Sequence, residues 1–202
     1  MVFTADLGNS SIDMAAFDND GNILFRSNLS TDRAKYEDEY FVQLKGIFDM
    51  NGVKPAAEGA IISSVVPQIT HVFSNAVSRL LNCKMLYVGP GIKTGLDIKI
   101  DQHSELGSDL VANTVAALKT CPTPFIIIDM GTATTITAVN DKRELCGVII
   151  LPGVRLALDA LSARAAELPY ISLDSPKALF GTNTVDAMNS GIIYGNACIV
   201  DG

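Results

Sequence analysis

Two short runs, Asp6-Leu7-Gly8-Asn9 and Asp129-Met130-Gly131-Thr132, share the pattern Asp-apolar-Gly-polar, and each closes a stretch patterned as a β-strand. Val2–Gly8 carries the first and Phe125–Met130 the second. The segments downstream of each run repeat as well. A second strand opens at once (Ile12–Phe17; Thr134–Asn140), a tight turn intervenes (Asp18-Asn19-Asp20-Gly21; Asp141-Lys142-Arg143), and a third strand returns (Asn22–Leu29; Glu144–Leu151). Asp6–Ile12 overlays Asp129–Ile136 with a slip of one residue before the isoleucine. The copies stand about one small domain apart, which restricts the chain to two related α/β units with a cleft between them.

The remaining pattern fills in the first unit. Helical spacing runs over Tyr36–Met50, a buried strand over Gly59–Val65, and a helix opened by Pro67 continues to Leu81. Lys84–Val88 is strand-like, a turn-rich connector spans Gly89–Gly95, and Glu105–Leu118 is again helical. After the third strand of the second copy, Pro152-Gly153 leads into a helix over Val154–Ala166, and a last helix starts near Thr184. The expected division is 1–115 and 116–202, the second unit stopping short of the pattern completed by the first. Hydrophobic residues make up 48% of the 202 and charged residues 18%, enough apolar material for a substantial core.

The formal net charge is −7 with no cluster of Lys and Arg, so no nucleic-acid partner is expected. Any phosphate must be held by backbone N–H groups and metal ions. Cys83, Cys121, Cys146 and Cys198 have no zinc-type spacing and are expected to be buried, reduced thiols. His71 and His103 have no Cys or His nearby. No leader is read ahead of Val2, and no apolar run approaches the ~18–20 residues of a membrane span, so a cytoplasmic protein without membrane contact is expected.

A strand ending in Asp-x-Gly-Asn or Asp-x-Gly-Thr suits phosphate chemistry. Glycine admits a phosphate close to the backbone, turn N–H groups and short hydroxyls donate to it, and the aspartate can hold a hydrated cation. One copy alone is usually just a turn; two copies at domain-scale spacing behind matching strands change that balance. In Glu105–Asn113, Asp109 and Asn113 are four apart and share a helical face, though Ser108 or Asp109 could simply cap the helix. In Gly181–Gly191, Thr182 or Asn183 could cap the last helix, with Gly191 and Gly195 permitting close packing. Gly89–Thr94 is no P-loop, because Ile92 stands where glycine must precede the lysine. There is no G-x-G-x-x-G, and neither histidine sits in a hydrolase motif.

Taken in order, these segments resemble the type III pantothenate kinases across the whole chain. Asp6–Ser10 resembles the family's Asp-x-Gly-Asn-[Thr/Ser], Gly107–Asn113 its Gly-x-Asp-Arg-x-x-Asn, and Asp129–Thr135 its Asp-x-Gly-Thr-Ala-x-Thr. Gly147–Gly153 and Gly181–Gly191 resemble its Gly-x-Ile-x-Pro-Gly and Gly-x-Asn-Thr…Ala-Met-x-Ser-Gly. The resemblance implies duplicated ribonuclease H-like lobes, ATP as donor, pantothenate as acceptor and a homodimer. By match, Asp6, Gly8, Asn9 and Ser10, with Gly131 and Thr132, would hold the ATP phosphates and Mg²⁺. Asp129 would hold a monovalent cation, K⁺ or NH₄⁺. Asp109 would be the general base, and Gly107, Ser108, Asp109, Leu110 and Thr184 would hold pantothenate. Three departures stand out: Leu110 replaces the motif's arginine, Ile100 a frequent tyrosine, and the family's later Thr-Gly-Gly strand is not met. They keep open a related kinase with another acceptor, or a regulatory paralogue.

Overall fold

The computed structural model describes residues 1–89 and 92–202; Pro90-Gly91 of the glycine-rich connector, and with it part of the rejected P-loop run, lies outside them. The chain divides into two compact units, Met1–Pro124 with Val139–Leu145, and Phe125–Ala138 with Cys146–Gly202.

The first unit opens with β1 (Val2–Leu7), β2 (Ser11–Phe17) and β3 (Ile23–Ser30), followed by α1 (Glu37–Met50), β4 (Gly59–Ser64), α2 (Pro67–Leu81) and β5 (Lys84–Tyr87). The sheet order is β3-β2-β1-β4-β5. β1, β2 and β3 are antiparallel, and β4 and β5 run parallel to β1. The β2–β3 hairpin turns where expected. Asp18 Oδ1 accepts from Asp20 N–H at 2.9 Å and Asn22 N–H at 2.8 Å, and Gly21 takes φ +85°, a conformation glycine adopts without strain. α1 starts with Glu37, Asp38 and Glu39 at the positive end of its dipole. α2 starts on Pro67 and ends on Asn82 in the left-handed region.

Strand periodicity sorts the side chains onto two faces. Phe3, Ala5 and Leu7 of β1, Ile12, Met14 and Ala16 of β2, and Ala60 and Ile62 of β4 share the core with Tyr40, Leu44 and Phe48 of α1 and Ile69, Phe73 and Val77 of α2. Phe48 meets Phe25 edge-on at 5.0 Å, and Tyr40 meets Phe73 likewise at 5.3 Å, geometries that add about 0.5–1.5 kcal/mol each beyond burial. The opposite face carries a polar row fixed by register: Asn28 is paired with Asp13, Asp13 with Asp6, and Asp6 with Ser63. α3 (Ser108–Thr120) reaches this face at Ser63. Two elements were not expected: β6 (Asp97–Ile98), which pairs with Glu144-Leu145, and a 3-10 turn over His103–Glu105.

The second unit contains β7 (Phe125–Met130), β8 (Ala133–Val139) and most of β9 (Glu144–Pro152), then α4 (Val154–Arg164) and α5 (Thr184–Asp201). β7 repeats β1: both are six-residue strands, with Asp129 and Asp6 each in fifth place. The turns differ. Gly8 N–H donates to Ser11 O, whereas Gly131 N–H donates to Ala133 O, one residue sooner. Buried Thr134, second in β8, therefore takes the place that Ile12 holds in β2, and the isoleucine overlay read from sequence is not the structural one. Leu158 of α4 packs with Met188 and Ile192 of α5 in a much smaller core.

Two expectations are corrected by the structure. Cys121, Cys146 and Cys198 are exposed, and only Cys83 is partly buried, its thiol pKa pushed up by that burial. Cys121 follows the end of α3, and Cys146 alternates outward next to buried Leu145. Nothing lies within 4 Å of a Cβ added at Gly191 or Gly195, so neither glycine is required by packing.

Candidate active site

Asp6 and Asp109, far apart in sequence, line one cavity of about 600 Å³ in the first unit. The sheet supplies its floor. Asp6 projects from the end of β1, Asp13 from the facing position of β2, and Arg26 and Asn28 from β3. Asp13 accepts from Ser11 Oγ at 2.8 Å. Carboxylates directly opposite on neighbouring strands concentrate negative potential, a setting that favours a hydrated divalent cation. Asp109 and Asn113 enter from α3 on one helical face, as their spacing predicts.

The start of α3 explains how Asp109 is aimed. Gly107 is the N-cap residue, so neither Ser108 nor Asp109 caps the helix. A side chain at Gly107 would run into Asp109 Oδ1. That oxygen accepts from Leu110 N–H at 2.9 Å, and the first turn places the carboxylate at the positive end of the helix dipole. Ser108 is buried and works as a clamp. Its Oγ accepts from Ser63 Oγ at 3.0 Å and from Ser64 N–H at 3.0 Å, and donates to Ser64 O at 3.1 Å. Leu110 is turned inward, only 7% exposed, and is not among the residues lining the cavity.

The Gly8-Asn9-Ser10 turn follows Asp6. Gly8 N–H is committed to Ser11 O at 2.9 Å, so the contribution of this glycine is clearance: an added Cβ would lie 3.1 Å from Ser11 O. Thr31 holds the turn from below, Oγ1 donating to Gly8 O at 2.6 Å and N–H to Ser10 O at 3.0 Å. Arg33 donates to Asn9 Oδ1 at 3.0 Å, which sets a cation beside the turn. No motif flagged Asp13, Arg26, Asn28 or Arg33.

In the second unit, Gly131 and Thr132 form the turn after half-buried Asp129. Gly153 N–H donates to Thr132 O at 3.0 Å, and any side chain at Gly153 would strike the Gly131 and Thr132 carbonyls. The Pro152-Gly153 step thus clasps this turn. Thr184 begins α5 behind the cap expected at Asn183, whose Oδ1 accepts from Asp186 N–H at 2.9 Å. It lines another cavity, of about 670 Å³, together with Gly181, Thr182 and Met188. No group of three or more His, Cys, Asp or Glu side chains forms a ready metal cage among the described residues, so a cation at Asp6 would need oxygens from its ligand.

The sheet order and the paired strand-end Asp-glycine turns define the class: an α/β protein built on a repeated strand–turn–strand pattern. A crystal structure described as a 2-dehydro-3-deoxygalactonokinase from Sinorhizobium meliloti superposes with a TM-score of 0.62, covering 100% of this chain and 82% of that one. At 12% identity that likeness establishes the fold alone. The family is fixed by sequence. The type III pantothenate kinase model matches residues 2–202. Type III pantothenate kinases of an Exiguobacterium species and of Halalkalibacterium halodurans are 41% and 38% identical, each match covering 100% of this chain and 80% of the relative. The chain belongs to the type III pantothenate kinase family. Among the described residues no helix is long and apolar enough to cross a membrane.

Proposed function

We propose that the chain transfers the γ-phosphoryl group of ATP to the primary hydroxyl of pantothenate, the first step toward coenzyme A. The observation that carries this is the convergence of Asp6 and Asp109 on one cavity. Asp109 is the general base, hydrogen-bonded through Oδ1 to the start of its own helix and clear of any neighbour at Gly107. It takes the hydroxyl proton as the acceptor oxygen attacks phosphorus in line. The turns at Gly8–Ser10 and Gly131-Thr132 seat the phosphates. Asp6, with Asp13 opposite, fits Mg²⁺, and Asp129 is assigned to a monovalent cation, K⁺ or NH₄⁺. These ions supply neutralising charge to the phosphate oxygens. Gly107, Ser108 and Leu110 shape the acceptor end from behind rather than by direct contact, and Thr184 is the acceptor contact of the second unit. The working form is a cytoplasmic homodimer. A different small-molecule acceptor is the second reading, favoured by inward-facing Leu110 where the family motif has arginine.

Pantothenate-dependent ADP release should require Mg²⁺ and exceed in K⁺ buffer what it is in Na⁺ buffer. Asp109→Asn should lower kcat by roughly 10²–10⁴-fold, the usual contribution of a positioned base. Release without pantothenate dependence, or a mutant as fast as the parent, contradicts the reading.

A further inference from the structure

The cavity of Asp6 and Asp109 is lined by one cationic side chain, Arg26 of β3. It shares the space with three carboxylates, Asp6, Asp13 and Asp109. None of the ion pairs among the described residues involves it. The other paired arginines show how readily this surface satisfies a guanidinium: Arg79 binds Asp38 at 2.7 Å and Arg155 binds Asp159 at 3.0 Å.

Register defines where Arg26 stands. It pairs with Ala15, Ala15 with Thr4, and Thr4 with Ile61. This row lies one pleat repeat behind the Asn28–Asp13–Asp6–Ser63 row, on the same face and away from the Gly8–Ser10 turn. Two residues along and two strands across put the Cα atoms of Arg26 and Asp6 roughly 12 Å apart, from ~3.4 Å per residue and ~4.8 Å per strand. Between them stand Ala15 and Asp13 on β2, with Thr4 next to Ala15 on β1.

An acceptor bound here must bring a hydroxyl to Asp109 and lay a neutral body over these strands. An anionic far end would otherwise face the three carboxylates with no compensating charge. Pantothenate has that layout, its primary hydroxyl and its carboxylate separated by nine bonds, on the order of 10 Å when staggered. We propose that Arg26 is a specificity-determining residue that holds the acceptor's carboxylate by a charge-assisted, bidentate hydrogen bond. This rests on the reading that the cavity phosphorylates pantothenate. A phosphate of ATP is the other anion a guanidinium could serve; the distance of Arg26 from the Gly8–Ser10 turn favours the carboxylate.

The test compares KM for pantothenate, for pantothenol (a primary alcohol in place of the carboxylate) and for ATP, in the parent, Arg26→Gln and Arg26→Lys, with melting curves to confirm folding. Arg26→Gln should raise KM for pantothenate roughly tenfold to hundredfold, the effect of losing a hydrogen bond between charged partners, with kcat changed by less than about threefold. KM for pantothenol and for ATP should stay put, and Arg26→Lys should recover part of the loss. An unchanged pantothenate KM, a matching rise for pantothenol, or a rise confined to ATP overturns the assignment. Should the parent turn over neither acceptor, the phosphorylation reading fails on its own. Equilibrium dialysis of radiolabelled pantothenate against parent and Arg26→Gln then decides Arg26, and equal retention by both, nil included, overturns it.

Discussion

Ser108 satisfies three hydrogen bonds with one hydroxyl, and through them it ties the first turn of α3 to the end of β4. Asp109 is the next residue, so its aim depends on that clamp. Ser108→Ala would leave Ser64 N–H and Ser63 Oγ short of a partner in a buried place. Urea unfolding should show a loss of about 1–3 kcal/mol, together with a fall in kcat, because removing one member of a buried set exposes the desolvation of the rest. An unchanged midpoint would mean that water replaces the hydroxyl. At this scale the sequence was informative where a role sits inside a local motif. Asp6, Asp109 and Asn113 could be picked out by spacing and reach one cavity. Asp13, Arg26 and Asn28 could not, because each gains meaning only from the residue opposite it on another strand. Counting back from the Asp18–Gly21 turn would have missed the pairing of Asn28 with Asp13, because the register shifts by one residue between Ala16 and Phe17.

Secondary structure was legible for the same physical reason that it forms. β1, β2, β4, α1 and α2 bury one face each, so their apolar residues recur with the period of the element. β6 is two residues long and the 3-10 turn is three, too short to show any period. α1 also carries a titratable group into the core. Tyr40 is fully buried, donates to Asp32 O at 2.9 Å, and has its pKa raised, first by burial. Raised in the folded state, this group contributes stability that is complete below its unfolded value near 10 and is lost as pH rises through the folded value. Thermal melts from pH 8 to 11 should therefore fall more steeply above pH 10 for the parent than for Tyr40→Phe. The mutant should start about 0.5–1.5 kcal/mol lower at neutral pH for want of the hydrogen bond. Parallel curves would remove Tyr40 from the alkaline transition.

Over the molecule as a whole, the two units are stabilised unequally. The first packs a sheet and two helices around a large aromatic and aliphatic core, while the second buries Leu158, Met188 and Ile192 and leaves Ile126, Ile149, Ile150 and Phe180 exposed. Local opening follows buried apolar contact, so amide exchange should be slowest in β1, β4 and α2 and faster by orders of magnitude in α4 and α5. Equal protection across both sets would show that something other than these cores holds the second unit. The duplication was readable because each copy keeps its aspartate in fifth place on a six-residue strand. The unequal turns were not, since the difference of one residue is visible only in which carbonyl each glycine reaches.

β1 puts Phe3, Ala5 and Leu7 into the core and Thr4 and Asp6 onto the opposite face. The alternation that holds the sheet to its helices is thus the alternation that delivers the carboxylate. Insertion or loss of a single codon ahead of Asp6 within this strand would send the aspartate into the aromatic layer and a core side chain into the cavity. Divergence in this stretch is consequently confined to exchange of one side chain for another, so descendants can alter the identity of the residues around the reaction but not their count.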